Sequence, residues 1–192
     1  QSFSLNLAFN KTHLIFMSTL QGRIDQTITN VADFPKPGIQ YKDITPLFLD
    51  AELSNDIVDA FAEKAKGKVD AVCGIESRGF LYGIQIAQKL GVPFILVRKA
   101  GKLPPPTVSQ SYDLEYGQAT IEVNETYIKK GMKILVHDDV LATGGTAEAC
   151  AKLVEKCGGK VTQFSFIVNL EFLNGSSKLT PFTEDIISLT AY

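Results

Sequence analysis

Residues 136–146 read Val-His-Asp-Asp-Val-Leu-Ala-Thr-Gly-Gly-Thr, and this stretch decides the fold of the chain. An apolar run at residues 133–136 predicts a short strand that delivers Asp138 and Asp139 to its end. After the turn, apolar residues recur at the spacing of one helix face, and Gly158 is a typical stop signal. The residues of that face are Cys150, Leu153, Val154 and Cys157. The stretch therefore predicts a strand, a tight turn and a helix.

The turn itself has the composition of a phosphate cradle. Gly144 and Gly145 carry no Cβ, so backbone N–H groups can close around an anion. Thr143 and Thr146 add hydroxyl donors, and the start of the helix adds partial positive charge. The two preceding carboxylates suit sugar hydroxyls or Mg²⁺. These groups together indicate a site for a phosphorylated ribose; the alternative is an ordinary strand-to-helix turn. The Gly-x-x-x-x-Gly-Lys-Ser/Thr pattern of a P-loop is missing.

The composition is that of a globular domain. The chain has 192 residues, of which 45% are hydrophobic and 21% charged, enough for one domain with a full core. A formal net charge of −2 gives no reason to expect nucleic-acid binding. No run of about 18 apolar residues is present, so we expect no membrane span.

The three cysteines predict packing rather than chemistry. Cys73 falls in a predicted strand, whereas Cys150 and Cys157 fall on a predicted helix face, so we expect buried small hydrophobic side chains. Without Cys-x-x-Cys spacing, and with only two histidines, the chain does not predict a zinc site. This cysteine usage fits a cytoplasmic location.

The N-terminal residues differ from the rest. Residues 1–20 contain no acidic residue, and the first arginine is Arg23, whereas a transit peptide is usually Arg-rich. Met17 could be a natural start, with residues 1–16 an upstream extension or a targeting segment. We expect residues 1–17 to lie outside the fold and residues 18–192 to form a single domain.

Strands and helices alternate along the remaining chain. Apolar periodicity predicts helices over residues 18–31 and 54–66, and a helical face over residues 80–90. Short β-branched runs predict strands at residues 69–75, 92–97, 133–136, 161–170 and 186–190. Such alternation predicts an α/β fold with a mostly parallel sheet flanked by helices. Ligands of such sheets bind at the carboxyl ends of the strands.

The segment 100–117 does not fit this alternation. It contains three consecutive prolines followed by polar residues, which favours stiff, extended chain over a helix. Loops of this length in a compact domain are usually functional or disordered. We therefore expect a long functional loop here.

Two further strand ends carry cations or mixed polar groups. Glu76, Ser77 and Arg78 follow the strand at residues 69–75, and Arg78 offers bidentate donors for a pyrophosphate. The cations Arg98, Lys99 and Lys102 follow the next strand. Alone, the first group is also typical of a helix N-cap at Ser77 with an exposed arginine, and the second is typical of a solvated loop. Beside a phosphate cradle, the two groups together indicate a second anion site.

The stretch 136–146 resembles the signature of type I phosphoribosyltransferases, which bind 5-phosphoribosyl-1-pyrophosphate (PRPP). Taken with other motifs from Asp33 to about Leu170, it looks like the adenine phosphoribosyltransferase family. The other motifs are Phe-Pro-Lys-Pro-Gly-Ile at 34–39, Tyr-Lys-Asp-Ile-Thr-Pro at 41–46, Glu-Ser-Arg-Gly-Phe at 76–80, Arg-Lys-Ala-Gly-Lys-Leu-Pro at 98–104 and Ser-Tyr-Asp-Leu-Glu-Tyr-Gly at 111–117.

The resemblance implies a type I phosphoribosyltransferase-like fold with a small N-terminal hood and a mobile loop. It implies the purine-salvage reaction of adenine and PRPP to AMP and pyrophosphate, with Mg²⁺, in a homodimer. The proton-handling acid would be Glu115, on the mobile loop. The base would contact Gln40, Lys42, Leu141 and Tyr116. Mg²⁺ would be held at Asp138 and Asp139, mainly through PRPP.

PRPP and AMP would be bound by residues from three strand ends. The residue patterns and the resemblance assign this role to Glu76, Ser77, Arg78, Arg98, Lys99, Asp138, Asp139, Ala142, Thr143, Gly144, Gly145 and Thr146.

Two residues depart from the family's pattern. Lys42 stands where the family often has Arg, so a planar stacking or bidentate contact near the base is in doubt. His137 stands at a usually apolar strand position. We expect His137 to be a core side chain, although its charge could tune the adjacent Asp138.

Two other functions stay open. A phosphoribosyltransferase for another purine base would keep the cradle and change the base pocket. A PRPP-sensing regulator without catalysis would carry an extra basic DNA-binding module, and the roughly 30 residues before Phe34 show no such pattern.

Overall fold

The computed structural model describes residues 19–113 and 117–192. The predictions for residues 1–17, Glu115 and Tyr116 fall outside these ranges. Contacts within the chain divide it into two compact units, Gln1–Ile57 and Val58–Tyr192. Within the described ranges, no helix is both long enough and apolar enough to span a bilayer.

The first unit is a small α/β unit. Helix α1, Leu20–Thr27, is capped by Thr19, whose Oγ1 accepts a hydrogen bond from the N–H of Gly22 at 3.1 Å. Strands β1, Thr29–Ala32, and β2, Gln40–Asp43, form an antiparallel pair. The predicted helix over residues 18–31 is therefore wrong in its last third. The β-branched residues there favour an extended chain, and β2 supplies the pairing partner.

Helix α2, Ala51–Ala65, confirms the second predicted helix and begins three residues earlier than expected. A 3₁₀ helix, Thr45–Leu49, leads into it. The earlier start has a local cause: the Oδ1 of Asp50 accepts a hydrogen bond from the N–H of Leu53 at 2.9 Å. An Asp at this position satisfies an N–H that the first turn of a helix leaves without a partner.

The second unit contains a seven-stranded sheet among its described residues, with the strand order β5-β6-β4-β3-β7-β8-β9. Strands β4, β3, β7, β8 and β9 run parallel, whereas β6 and β5 add an antiparallel edge. This confirms the predicted α/β fold with a mostly parallel sheet. The strands are β3 Ala71–Ile75, β4 Phe94–Lys99, β5 Thr107–Asp113, β6 Gln118–Asn124, β7 Lys133–Leu141, β8 Lys160–Asn169 and β9 Ile186–Ala191.

Two helices cover the two faces of this sheet. They are α3, Gly79–Leu90, and α4, Gly145–Lys156. Because side chains alternate along a strand, Cys73 and Val136 share the face that packs on Leu153 of α4. The opposite face carries Gly74 and His137 and lies against α3.

The cysteine prediction is confirmed for Cys73 and Cys150, which are fully buried in the α4-side core, and Cys157 is half-buried. Burial raises the pKa of the Cys73 and Cys150 thiols well above the ordinary value. All three cysteines are free thiols.

Two predicted boundaries are corrected in ways that affect the site. The strand expected at residues 133–136 continues to Leu141, because β8 pairs with it as far as Leu141 opposite Asn169. Asp138 and Asp139 therefore lie within a strand, not after one. Within the expected long loop at residues 100–117, Thr107–Asp113 form strand β5, which pairs with β6. As an exposed edge strand, β5 lacks the apolar alternation by which strands are recognised.

Candidate active site

A cavity of about 350 Å³ opens at the carboxyl ends of β3, β4 and β7. A smaller cavity of about 70 Å³ lies around the turn between β7 and α4. The two share Asp138 and Thr146 and are therefore neighbours. The larger is lined by Ile75, Glu76, Ser77, Arg78, Lys99, Tyr112, Asp138, Asp139 and Thr146. The smaller is lined by Asp138, Val140, Leu141, Ala142, Thr143, Gly144, Gly145, Thr146, Ala147 and Phe166.

The smaller cavity has the geometry of an anion cradle. Gly144 adopts φ +77° and caps α4, so the chain reverses sharply where the helix begins. The first N–H groups of a helix have no partner within the helix and carry partial positive charge. All of the predicted cradle residues, 142–146, line this cavity. Such an arrangement suits an anion such as a phosphate group.

Gly175 packs directly against the cradle, a contact that the sequence did not predict. A Cβ built on Gly144 would collide with the carbonyl oxygen of Gly175, and a Cβ on Gly175 would collide with that of Ala142. The two backbones are therefore in direct contact, which only glycines permit. The Asn-Gly dipeptide at residues 174–175 is a turn signal, but it does not reveal which part of the chain the turn supports.

The carboxylates of β7 meet a cation within the larger cavity. The Nε of Arg78 lies 2.7 Å from the Oδ2 of Asp139. The Oδ1 of Asp138 accepts the N–H of Asp139 at 2.9 Å. Burial, reinforced by the neighbouring Asp139, raises the pKa of Asp138 well above its usual range. Hydroxyl donors or a cation in the cavity would oppose this shift, because they favour the charged carboxylate.

Helix α3 approaches this strand closely because Gly79 has no side chain. A Cβ at Gly79 would lie 2.8 Å from the carbonyl oxygen of His137 and 2.9 Å from the Oδ1 of Asp138. Both distances are shorter than real Cβ contacts. Gly79 therefore allows the start of α3, with Arg78 before it, to reach the carboxylates.

The expected anion-binding residue Glu76 contacts cations. Its side chain is 9% exposed, and its Oε1 lies 2.6 Å from the Nζ of Lys102. The Nε and Nη2 of Arg98 each lie 3.3 Å from its carboxylate, and the N–H of Lys99 donates to it at 2.9 Å. The hydrogen bond from Lys102, followed by those from Lys99 and Arg98, lowers the pKa of Glu76 to about 2 despite burial. The Glu76 carboxylate therefore holds the side chains of Arg98 and Lys102 beside the cavity.

His137 is a core residue. It is fully buried, its Nδ1 lies 2.8 Å from the Oγ of Ser165, and its ring packs edge-on to Phe61 at 5.4 Å. Burial lowers the pKa of His137 to about 3, so the ring is neutral near pH 7. These observations support the prediction that His137 is a core side chain. They do not support a role for a charged His137 in tuning the pKa of Asp138. Its Nε2 has no hydrogen-bond partner among the described residues.

The predicted base-contacting residues are only partly placed. Leu141 ends β7 and lines the smaller cavity, whereas Gln40 and Lys42 lie on β2 in the first unit. Tyr116 lies outside the described residues, as does the predicted proton-handling Glu115. A second tyrosine, Tyr112 of β5, lines the larger cavity, although the sequence reasoning did not assign it to the site.

The carboxylate pair is also the candidate place for Mg²⁺. Within residues 19–113 and 117–192, no group of three or more His, Cys, Asp or Glu side chains is placed to hold a metal. Mg²⁺ is commonly bound by one or two carboxylates together with substrate phosphates and water. Asp138 and Asp139, beside a cavity large enough for a pyrophosphate, fit that donor set.

Comparisons with known proteins agree with this geometry. The family model of the phosphoribosyl transferase domain matches residues 43–177. An adenine phosphoribosyltransferase of Christiangramia forsetii is 54% identical over 166 residues, covering 86% of this chain and 96% of that protein.

Two solved structures resemble this chain over most of its length. The crystal structure of adenine phosphoribosyltransferase from Thermoanaerobacter pseudethanolicus superposes with a TM-score of 0.86 at 44% identity, covering 91% of this chain and 100% of that one. The Saccharomyces cerevisiae enzyme, solved in complex with an imino-altritol bisphosphate and adenine, gives 0.84 at 35% identity, covering 88% and 98%. The chain therefore belongs to the adenine phosphoribosyltransferase family of type I phosphoribosyltransferases.

Proposed function

We propose that this enzyme converts adenine and PRPP to AMP and pyrophosphate, a purine-salvage reaction. The observation that carries the proposal is the pair of adjoining cavities that share Asp138 and Thr146. PRPP has a phosphate at one end of its ribose and a pyrophosphate at the other. The cradle at residues 142–146 binds the first, and the larger cavity receives the ribose and the second.

The residues are distributed as the reaction requires. Breaking the bond between C1 and pyrophosphate leaves positive charge on the ribose ring and negative charge on the leaving group. Arg78 and Lys99 line the larger cavity and stabilise the pyrophosphate, with Arg98 beside them on Glu76. Asp138 and Asp139 accept hydrogen bonds from the ribose hydroxyls. Mg²⁺ held at these carboxylates would neutralise charge on the pyrophosphate.

The base and its proton complete the proposal. Glu115 handles the proton of the base, and Gln40, Lys42, Leu141 and Tyr116 contact the ring. The support here is the resemblance of the motifs at residues 34–46 and 111–117, together with relatives named adenine phosphoribosyltransferase and a yeast relative solved with adenine. Tyr112 of β5 also lines the larger cavity.

Three further properties belong to the same proposal. The enzyme uses Mg²⁺, mainly through PRPP. It acts as a homodimer, as the resemblance implies. It works in the cytoplasm, where its three free cysteines remain reduced.

The test is a substrate panel. Pyrophosphate release is measured with PRPP and Mg²⁺ and with adenine, hypoxanthine or guanine as the base. Adenine should turn over far faster, because the 6-oxo group of the other two bases reverses the hydrogen-bonding pattern that an adenine pocket reads. Preference for hypoxanthine or guanine would indicate another purine phosphoribosyltransferase. PRPP binding without turnover of any base would indicate a sensor.

A further inference from the structure

Glu122 of β6 is a buried carboxylate outside both cavities. It is 6% exposed, and its Oε1 accepts hydrogen bonds from the N–H groups of Lys102 and Leu103, each at 2.9 Å. On the antiparallel pair of β4 and β6 it lies directly opposite Arg98. A buried charge is costly unless it is paired and hydrogen-bonded, so this one requires an explanation.

The partners of Glu122 belong to the turn that follows β4. Burial would raise the pKa of Glu122, but backbone hydrogen bonds from Leu103, Gly101 and Lys102, with Arg98 nearby, lower it below the ordinary value. The N–H groups of the turn therefore stabilise the charged form of the Glu122 carboxylate. Two adjacent N–H groups on one oxygen also fix the direction of the backbone at residues 102–103.

From this turn, contacts continue to the larger cavity. The Nζ of Lys102 lies 2.6 Å from the Oε1 of Glu76, a residue of the cavity wall. The Nη1 of Arg98 donates to the carbonyl oxygen of Lys102 at 3.3 Å. Arg98 and Lys102 thus lie between two carboxylates, one at the cavity and one behind it. A shift of the turn would move Lys102 and withdraw the carbonyl oxygen that holds the Nη1 of Arg98.

We propose that Glu122 is a positioning residue for pyrophosphate binding. Glu122 fixes the turn at residues 101–103. The position of this turn keeps Lys102 and Arg98 in contact with Glu76, at the pyrophosphate end of the site. This inference rests on the proposed function, because it assigns the larger cavity to the pyrophosphate of PRPP.

A graded series at one position tests the proposal. Glu122→Gln keeps an oxygen that can accept both N–H groups, so its KM for PRPP should stay within about 3-fold of wild type. Glu122→Leu removes the acceptor. Glu122→Asp shortens the side chain by one methylene and so moves the carboxylate away from the two N–H groups. Both should raise the KM for PRPP, by about 10- to 100-fold for Leu and less for Asp. The KM for adenine should stay nearly unchanged in all three variants.

The exposed Glu125 provides the control, because Glu125→Leu replaces an acid of the same unit outside the turn. A purely structural role of Glu122 would lower thermal stability while leaving both KM values at wild type, and that result would overturn the proposal. If Glu122→Leu fails to fold, Glu122→Asp decides: an unchanged KM for PRPP refutes the role, and a selective rise supports it.

A binding measurement separates this inference from the proposed function. Calorimetry with inorganic pyrophosphate and Mg²⁺ should show weaker binding to Glu122→Leu, or to Glu122→Asp, than to wild type and Glu122→Gln. If wild type fails to turn over adenine while this order of affinities holds, the proposed function is wrong and the positioning role stands. Equal affinities across the series overturn the positioning role whatever the base specificity.

Discussion

Gly144→Ala tests whether phosphate binding depends on the backbone geometry of the cradle. Gly144 has φ +77°, and a Cβ on it would collide with the carbonyl oxygen of Gly175. Gly131 also has φ +77°, but a Cβ there meets no atom within 4 Å. Gly131→Ala is therefore a matched control, because it introduces the same backbone strain without the collision.

The expected magnitudes follow from this difference. Each variant places an alanine in the left-handed region, which costs about 1–2 kcal/mol of unfolding free energy. Gly144→Ala must in addition displace either the cradle or the Asn174–Gly175 turn. A displacement of roughly 1 Å at a binding site is enough to lower the rate about 10²-fold. Relative to Gly131→Ala, we expect Gly144→Ala to lose about 10²-fold in kcat/KM for PRPP, about 2.7 kcal/mol of transition-state stabilisation.

The assay combines three measurements on both variants. Denaturant unfolding gives the stability, pyrophosphate release gives kcat/KM for PRPP, and calorimetry gives the affinity for AMP. Gly144→Ala should lose more stability than Gly131→Ala, because relieving the collision costs energy beyond the shared backbone strain. The losses of activity and AMP affinity should appear in Gly144→Ala alone. If both variants are folded and bind AMP equally well, the contact with Gly175 does not shape the cradle and the reasoning is refuted.

Three other substitutions test separate parts of the site. The folded pKa of Glu76 is about 2 against an ordinary 4.5, so its ion pairs stabilise the fold above about pH 4.5 and this contribution is lost as the pH falls toward 2. The difference in unfolding free energy between wild type and Glu76→Gln should shrink over that range, and a pH-independent difference would contradict the assigned pairing. His137→Val should fold and stay active but lose roughly 1–3 kcal/mol, because it leaves the buried Ser165 hydroxyl without its partner; a large loss of activity in a stable variant would place His137 in the active site. Glu115→Leu should lower kcat about 10²–10⁴-fold with little change in PRPP affinity, and wild-type kcat with chemistry rate-limiting would remove Glu115 from the mechanism.

Local patterns in the sequence were sufficient for the architecture and for the turn between β7 and α4. Apolar periodicity located α2, α3 and α4, because each buries a single stripe of side chains. The glycine–threonine turn followed by a helix was likewise visible, because the turn is formed within a few consecutive residues. The residues of three strand ends could be assigned to one site because parallel strands present their carboxyl ends at one edge.

Features that depend on distant partners could not be predicted. Strand β7 extends over Asp138 and Asp139 only because β8 continues beside it. Strand β5 is an exposed edge whose polar residues become a strand through pairing with β6. The contacts of Glu122 with the turn at residues 101–103 join positions about 20 residues apart in the chain, a separation across which no periodicity operates.

A crystal structure with AMP, pyrophosphate and Mg²⁺ would show whether the two adjoining cavities are the two ends of one PRPP site. We expect the 5′-phosphate in the smaller cavity, bound by backbone N–H groups of residues 143–146. We expect the ribose hydroxyls at Asp138 and Asp139, and the pyrophosphate beside Arg78 and Lys99. A phosphate bound away from the 143–146 turn, or a pyrophosphate outside the larger cavity, would show that the two cavities are not one PRPP site.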